Sequence, residues 1–396
     1  MEISRQPRPR RILIVGASIA GPALAHGLMG AGYEVTVLER APAPREGGYK
    51  VDLRGAAMEV VRRMGLLEPL RALHTEMRGA WYVDDAGQRI FEIDSEDFGF
   101  RAEGDLEVMR GDLVRLLVAR TRDQVAYRFG DALAALEEEG DGVRVRFGSG
   151  EEARFDLVVG ADGLHSATRR LWFGERPESL HPVGYGAAIY TVPNRLGLDQ
   201  QEVSYLRPGR YAGLYHVRGH AGVKAGYLFE WPWGVEAPRE PQAQKRLLAE
   251  LYAGAEWEVP WMLSCMDAAE DFYFDAMTQV KLDRYSRGPV VLLGDAAYCA
   301  SPGSGQGTGL ALVGAHILAG ELLEAQGDHA QAFARYEAAM RPFVAANQAI
   351  ARHSMSLLVP REVPEDLSRL HGEETRSDPT QEASRAIQLK PYALRA

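Results

Sequence analysis

Residues 11–39 read RILIVGASIAGPALAHGLMGAGYEVTVLE, and this stretch decides the fold. Ile12–Val15 and Val35–Leu38 are short apolar runs without polar alternation, as expected of parallel strands covered on both faces. A glycine turn and a segment of helical spacing separate them, so the order is strand, turn, helix, strand. Gly16 lets the chain turn sharply out of the first strand, and Gly21 lets the helix pack close to the sheet. Gly16, Ser18 and Gly21 depart from G-x-G-x-x-G only at the middle place, where serine is the next smallest residue that keeps a donor. The helix start, Ser18, Ile19, Ala20 and Gly21, turns unpaired N–H groups toward a pyrophosphate. Glu39 closes the second strand, where a ribose hydroxyl pair is held. The unit therefore predicts an adenine dinucleotide site. The competing reading is a glycine-rich turn of some other α/β protein.

A chain of 396 residues has room for two or three domains, or for one large domain with an insertion. Hydrophobic content of 46% and charged content of 25% are ordinary for a globular protein. A net charge of −10 argues against nucleic acid as the main partner. Cys265 and Cys299 have no CxxC or Cys/His spacing, so neither a disulfide framework nor a metal site is expected. The basic start MEISRQPRPRR leads directly into the strand–turn–helix unit. The apolar run after it is broken by Gly16, Ser18, Gly21, Pro22 and His26. That is neither a signal peptide nor a membrane span, and the expectation is a cytoplasmic protein with no membrane partner.

Further buried strands are expected at Leu157–Val159 and Val290–Leu293, with helices at Met58–Leu66 and Gly111–Ala119. Phe129–Arg146 reads as a pair of strands around the turn Glu139–Gly142. From about 178 to 283 the sequence is alternating, turn-rich and crowded with aromatics, which predicts an antiparallel sheet with one apolar face. Gln242–Tyr252, 304–325 and 328–352 have helical spacing, and the polar tail from about 360 is expected to hold a final helix and a frayed end.

Two more motifs carry chemistry. Gly160-Ala161-Asp162-Gly163 follows RFDLVV, and GDAAYCASPGSGQG, Gly294 to Gly307, follows PVVLL. Each places an acidic residue just beyond a buried strand, at the carboxyl end where open α/β sheets bind ligands. After Asp295, Pro302 and the glycines up to Gly307 form a loop suited to close backbone approach to something flat or anionic, ahead of a helix N-terminus.

In combination and order, the three segments resemble the class A FAD-dependent aromatic hydroxylases, the para-hydroxybenzoate hydroxylase fold. Within that family the chain is most similar to the tetracycline-inactivating monooxygenases, over roughly residues 11–350. The fold class implied is α/β: a discontinuous Rossmann-like FAD-binding domain, an inserted antiparallel-sheet substrate domain and a long C-terminal helix. The corresponding division is 1–75, 101–177 and 284–327 for the FAD-binding domain, 76–100 and 178–283 for the substrate domain, and 328–396 for the C-terminal helix and tail.

The resemblance assigns Gly16, Ser18, Ile19, Ala20 and Gly21 to the ADP turn, Glu39 to the adenosine ribose and Arg40 to the adenosine part. It assigns Arg110 to a flavin contact, and Asp162 and Gly163 to a motif associated with FAD and nicotinamide nucleotide. Gly294 and Asp295 would serve the ribityl chain, and Pro302, Gly305, Gln306 and Gly307 the edge of the ring. Asp52 falls where the subgroup has an aspartate by the ring, and Arg45 near the nicotinamide nucleotide. Tyr298 stands where many relatives have histidine and is read as structural.

The cofactors implied are tightly bound, non-covalent FAD, with NADPH or NADH as transient reductant and O2 as co-substrate. Reduced flavin would form a C4a-hydroperoxide that hydroxylates an aromatic or polyketide-like small molecule. No protein nucleophile is needed, so no catalytic side chain is expected. Tyr205, Tyr211, Tyr215, Phe229, Trp231 and Trp233 are candidates for the substrate walls, or alternatively pack the sheet onto the flavin domain. His216, with His220, is a candidate to orient a phenol or ketone; their segment reads as strand and turn, so no metal is expected. The alternatives are a flavin-dependent halogenase, whose tryptophan motif Trp231-Pro232-Trp233 partly matches, a non-oxygenating flavin reductase or dehydrogenase, and a non-catalytic ligand-binding protein.

Overall fold

The computed structural model describes residues 10–45, 47–94, 102–233, 235–370 and 379–394. The basic start up to residue 9, residues 95–101 and part of the tail therefore lie outside the described residues. Two large sheets organise the chain.

The first sheet has six strands in the order Ser286–Arg287, Val290–Leu292, Leu157–Gly160, Arg10–Val15, Tyr33–Glu39, Ala126–Phe129. All neighbours run parallel except the short Ser286–Arg287 edge. Ile12, Leu13 and Ile14 are wholly buried, as the absence of alternation in their run requires. From Arg10–Val15 the chain winds outward on one side to Tyr33–Glu39 and Ala126–Phe129. It then returns on the other side to Leu157–Gly160 and Val290–Leu292. The order reverses beside the first strand, where open α/β sheets form their ligand crevice. Val15 pairs with Gly160, and Gly160 pairs with Leu292, so the three sequence motifs leave the sheet side by side.

Phe129 belongs to this parallel sheet. The strand pair expected from it begins at Leu133 and pairs through Glu139 with Gly142–Phe147, with Glu152–Phe155 as a third strand.

The second sheet has seven strands in the order Tyr273–Val280, Leu180–Val192, Val223–Glu230, Arg210–Tyr215, Glu202–Arg207, Gly79–Val83, Arg89–Asp94. It departs from the antiparallel expectation at one pair: Glu202–Arg207 runs parallel to Gly79–Val83. Helices Pro241–Leu251 and Val259–Cys265 cover one face, burying Tyr190, Tyr205, Tyr227, Phe229 and Trp231 with Leu248 and Met262. The other face turns toward the two-stranded pair Lys50–Leu53 and Leu106–Met109: the Tyr215 hydroxyl accepts from the Lys50 backbone N–H at 3.3 Å.

Helix Gly307–Glu324 is buried along almost its whole length and packs on the helix Ala20–Leu28. Helix His329–Ala349 lies over it, and the Tyr336 hydroxyl bonds Leu292 O at 3.1 Å and the Tyr298 hydroxyl at 3.0 Å. Tyr298 thus has the structural place expected of it.

The described part of the tail after helix Pro379–Ser384 is docked. A Cβ at Gly320 would come within 2.2 Å of the Tyr392 ring, and the Tyr392 hydroxyl bonds the wholly buried Glu321 at 2.8 Å. Tyr392 also meets the His316 ring edge-on, at 5.5 Å between centroids. Burial first, then the Arg63 guanidinium at 3.3 Å, lowers His316 to about 4. A histidine held neutral in the fold charges first in the unfolded chain. Its contribution is complete above an unfolded pKa of ~6.5 and is lost as pH falls toward the folded value. His316→Gln is therefore expected to lose less stability than the wild type between about pH 7 and about pH 5, by about 2 kcal/mol, in melting curves at the two pH values. Parallel curves for the two proteins contradict this.

Candidate active site

The glycine turn is dictated by close approach. Gly16 has φ +112°, and a Cβ there would lie 2.3 Å from Ala161 O; a Cβ at Gly21 would lie 1.9 Å from Gly16 O. The first motif is thus pressed against the second. The third joins them, because a Cβ at Gly294 would lie 3.1 Å from the Ala20 Cβ. The Glu39 carboxylate accepts from the backbone N–H of Ala17 and of Ala41, both at 3.0 Å, and Arg45 stands 3.6 Å away. Arg40 is exposed past the strand end. The Arg110 guanidinium donates to Ser18 Oγ at 2.8 Å, so the arginine that the resemblance assigns to the flavin meets the glycine turn.

The Asp162 carboxylate is engaged within the protein. It accepts from Ser166 Oγ at 2.5 Å, from Thr168 N at 2.9 Å and from Thr168 Oγ1 at 3.1 Å, tying down the start of helix Ala167–Phe173. Gly163 follows at φ +80° with open space where a Cβ would be. Asp52 pairs with the buried Arg54 at 3.0 Å.

Arg169 is a residue the sequence reading missed. Only 6% exposed, it donates to Leu164 O at 2.6 Å and to Ala296 O at 2.8 Å, stapling the loop after Asp162 to the helix that starts at Asp295. Its signal was Ser166 three residues before it, the spacing of a helix N-cap; Ser166 Oγ does accept from Arg169 N at 2.9 Å.

Asp295 is exposed, yet the protein packed around it is the leading cause that raises its carboxyl above the usual range, with Arg110 opposing. The two statements agree for a carboxylate on the floor of a deep, open cleft. Its Oδ1 lies 3.9 Å from where a Gly307 Cβ would stand, beside the N-terminus of helix Gly307–Glu324. Between them Ser301 holds φ +71°, Gly305 is left-handed, and Pro302 and Gly305 are exposed to the cleft. Gln306 is 3% exposed, and its Nε2 has no hydrogen-bond partner among the described residues. A buried amide donor left unbonded is costly unless a ligand acceptor meets it.

The aromatic candidates divide between the faces of the second sheet. Tyr211 and Tyr215 lie on the cleft side. Tyr205, Phe229 and Trp231 are buried under the helices on the far side, where the Tyr205 hydroxyl bonds Asp85 at 2.7 Å. As walls of a cleft on the flavin side these three are corrected to core residues: strand alternation turns them away from it. Trp233 is 58% exposed with the Arg352 guanidinium 5.1 Å from its ring centre. His216 is engaged locally, accepting from Gln200 N at 3.1 Å and donating to His220 O at 2.7 Å. Missed from sequence were Tyr49 and Tyr273, whose rings lie 6.3 Å apart, and Asp275, which accepts from the Tyr273 hydroxyl at 3.0 Å. Burial raises the Asp275 carboxyl. Among the described residues no group of three or more His, Cys, Asp or Glu side chains is placed to hold a metal, and no helix is long and apolar enough to cross a membrane.

The glycine turn, the acidic strand end and the unbonded Gln306 amide beside a helix N-terminus together fit an FAD, with the adenosine end at Glu39 and the flavin end at Asp295–Gly307. The sequence model of the FAD binding domain family matches residues 10–351. The chain belongs to this family, that of the class A flavin monooxygenases. A flavin-dependent monooxygenase of an unknown prokaryotic organism is 41% identical over 343 residues, 87% of this chain and 89% of the relative. Another, from Legionella longbeachae, is 37% identical over 359 residues, 90% of this chain and 92% of the relative. The crystal structure of the tetracycline destructase Tet(55) superposes with a TM-score of 0.88 at 36% identity, covering 98% of this chain and all of the other. The protein is an FAD monooxygenase with a mixed α/β fold.

Proposed function

We propose that this flavin monooxygenase uses NADPH or NADH and O2 to hydroxylate a bulky aromatic or polyketide-like small molecule, with tetracyclines the first class to test. The observation that carries the reading is that Asp295, beside the Gln306–Gly307 helix start, shares its surroundings with Tyr49 and with Tyr273 and Asp275 of the second sheet. The likeness to Tet(55) supports the substrate class.

FAD, when bound, supplies the electron transfer and oxygen activation that no side chain here provides. Glu39 would hold the ribose of the adenosine half, and the N–H groups of Ser18 to Gly21 would serve the pyrophosphate. Asp295 would accept from the ribityl hydroxyls. The N-terminus of helix Gly307–Glu324 would favour negative charge on the ring. The Arg110 guanidinium opposes the rise of the Asp295 carboxyl. The sheet face orients the substrate and, once covered, keeps water from the reacting atoms.

The test is substrate-stimulated NAD(P)H oxidation by the FAD-loaded enzyme against tetracyclines and simple phenols, with isotopically labelled O2. Stimulation by tetracyclines and one labelled oxygen in the product is the expected result. Stimulation by small benzoates alone, a halogenated product in the presence of chloride, or an unlabelled product contradicts it.

A further inference from the structure

The cleft face of the seven-stranded sheet has a hole in it. Reading across the strands at one level, the pairing runs Tyr82, Ser204, Gly213, Gly226, Ile189, Tyr273. Two glycines are thus paired in the middle of the sheet. A glycine in a strand interior is destabilising, and such positions mark a bulge, a bend or the close approach of another group. Neither glycine has a positive φ, and the register is continuous through both, so bulge and bend do not apply.

The reasons for the two glycines differ. A Cβ at Gly213 would fall 2.2 Å from the Tyr211 hydroxyl, so the phenol of the same strand lies across that glycine. At Gly226 a Cβ would meet no heavy atom within 4 Å. Its neighbours Ala225 and Tyr227 are wholly buried on the far face, while Gly226 itself keeps accessible surface on the cleft face. The space is bounded by Tyr211 on one side and Ile189 on the other. It has a polar border, since Tyr211 donates to Glu202 Oε1 at 2.9 Å and Lys50 to Glu202 Oε2 at 2.7 Å. Lys50 also stands 4.6 Å from the Tyr215 ring centre.

We propose that Gly226 is a specificity-determining residue of the substrate site: its bare backbone, beside the Tyr211 phenol, admits the flat face of a fused-ring phenolic or enolic substrate. The proposal rests on the cleft being the substrate site of the monooxygenase reading, and it names the part of that cleft that selects for size. The bare surface lies over Gly226, one strand wide or about 5 Å, with the Tyr211 phenol across Gly213 as its margin, and it is flat because no side chain rises from Gly226. A flat ring system gains contact there that a non-planar molecule of the same size does not. The Tyr211–Glu202–Lys50 chain meets its oxygen-bearing edge.

The experiment uses FAD-loaded wild-type enzyme, Gly226→Ala and Gly226→Leu, with tetracycline as the fused-ring probe and 4-hydroxybenzoate as the single-ring probe. Binding is read by quenching of flavin fluorescence and turnover by NAD(P)H oxidation. FAD content and melting temperature are the folding controls. The expected result is a loss of tetracycline affinity of about 30-fold or more in Gly226→Leu, and of several-fold in Gly226→Ala, at unchanged FAD content, with a much smaller change for the single-ring probe. If Gly226→Leu does not fold, the alanine variant decides, because its added methyl meets no protein atom. Unchanged tetracycline affinity in a folded variant overturns the proposal, as does a wild type that binds no tetracycline. A wild type that binds tetracycline in a Gly226-dependent way without turning it over leaves the proposal standing and removes the monooxygenase substrate assignment instead.

Discussion

Asp295→Asn should raise the melting temperature of the flavin-free protein and, in the same variant, weaken FAD binding about 10- to 100-fold. The two effects have one origin. Burial raises the Asp295 carboxyl above its ordinary range, so the ionised form is disfavoured in the folded chain. A carboxyl with a raised folded pKa costs stability at pH values above that pKa, and the cost vanishes as pH falls below the unfolded value. Asparagine removes the charge and with it the cost at neutral pH. It also removes the anionic acceptor, and hydrogen bonds to a charged group contribute about 1.5–3 kcal/mol each. Thermal melting of the flavin-free protein and titration with FAD read the two sides separately. An unchanged FAD affinity would refute the ribityl role, and a lowered melting temperature would refute the electrostatic account.

The second large effect is expected at Arg169. Truncation to alanine removes both donors that join Leu164 O to Ala296 O and leaves two carbonyls and a cavity in a buried place. A destabilisation of about 3 kcal/mol or more follows from unmade buried bonds to a charged donor. Because Leu164 follows the Asp162–Gly163 turn and Ala296 follows Asp295, the flavin site should loosen at two of its three motifs together. FAD should then be lost on dilution or gel filtration. Arg169→Lys reaches one carbonyl but not both, so it should recover part of the melting temperature and little of the FAD retention. A variant with a lowered melting temperature but full FAD occupancy would make Arg169 a core residue and nothing more.

The parallel sheet was legible because covered strands leave unbroken apolar runs, and the three motifs because glycines and an acid at a strand end have few other uses. The faces of the second sheet were not. Tyr205 and Tyr211 sit on either side of the turn at Pro208–Gly209, and both look equally like cleft walls in the sequence. The pairing sets Tyr205 opposite Ala212 and Tyr211 opposite Leu206, which sends them to opposite faces. A shift of one residue would exchange the two, and only the register decides. The parallel pair between Gly79–Val83 and Glu202–Arg207 joins segments too far apart for local pattern to connect. Arg169 was missed for a related reason: an arginine in a short helix reads as solvated until its carbonyl partners on another motif are known.

The pairing of distant segments also orders events during synthesis. Arg10–Val15 is made before either of its partners; it pairs on one side with Tyr33–Glu39 soon afterwards, but its other edge stays open until Leu157–Gly160 arrives. That strand in turn waits for Val290–Leu292, and the buried helix Gly307–Glu324 comes later still. Gly79–Val83 meanwhile waits for Glu202–Arg207. Both sheets therefore remain incomplete with apolar edges exposed for most of translation, a situation in which chains aggregate or recruit chaperones. Slower, cooler expression should thus improve soluble yield more than added flavin does, since Val290–Leu292, the strand that leads to Asp295, is the last to join its sheet.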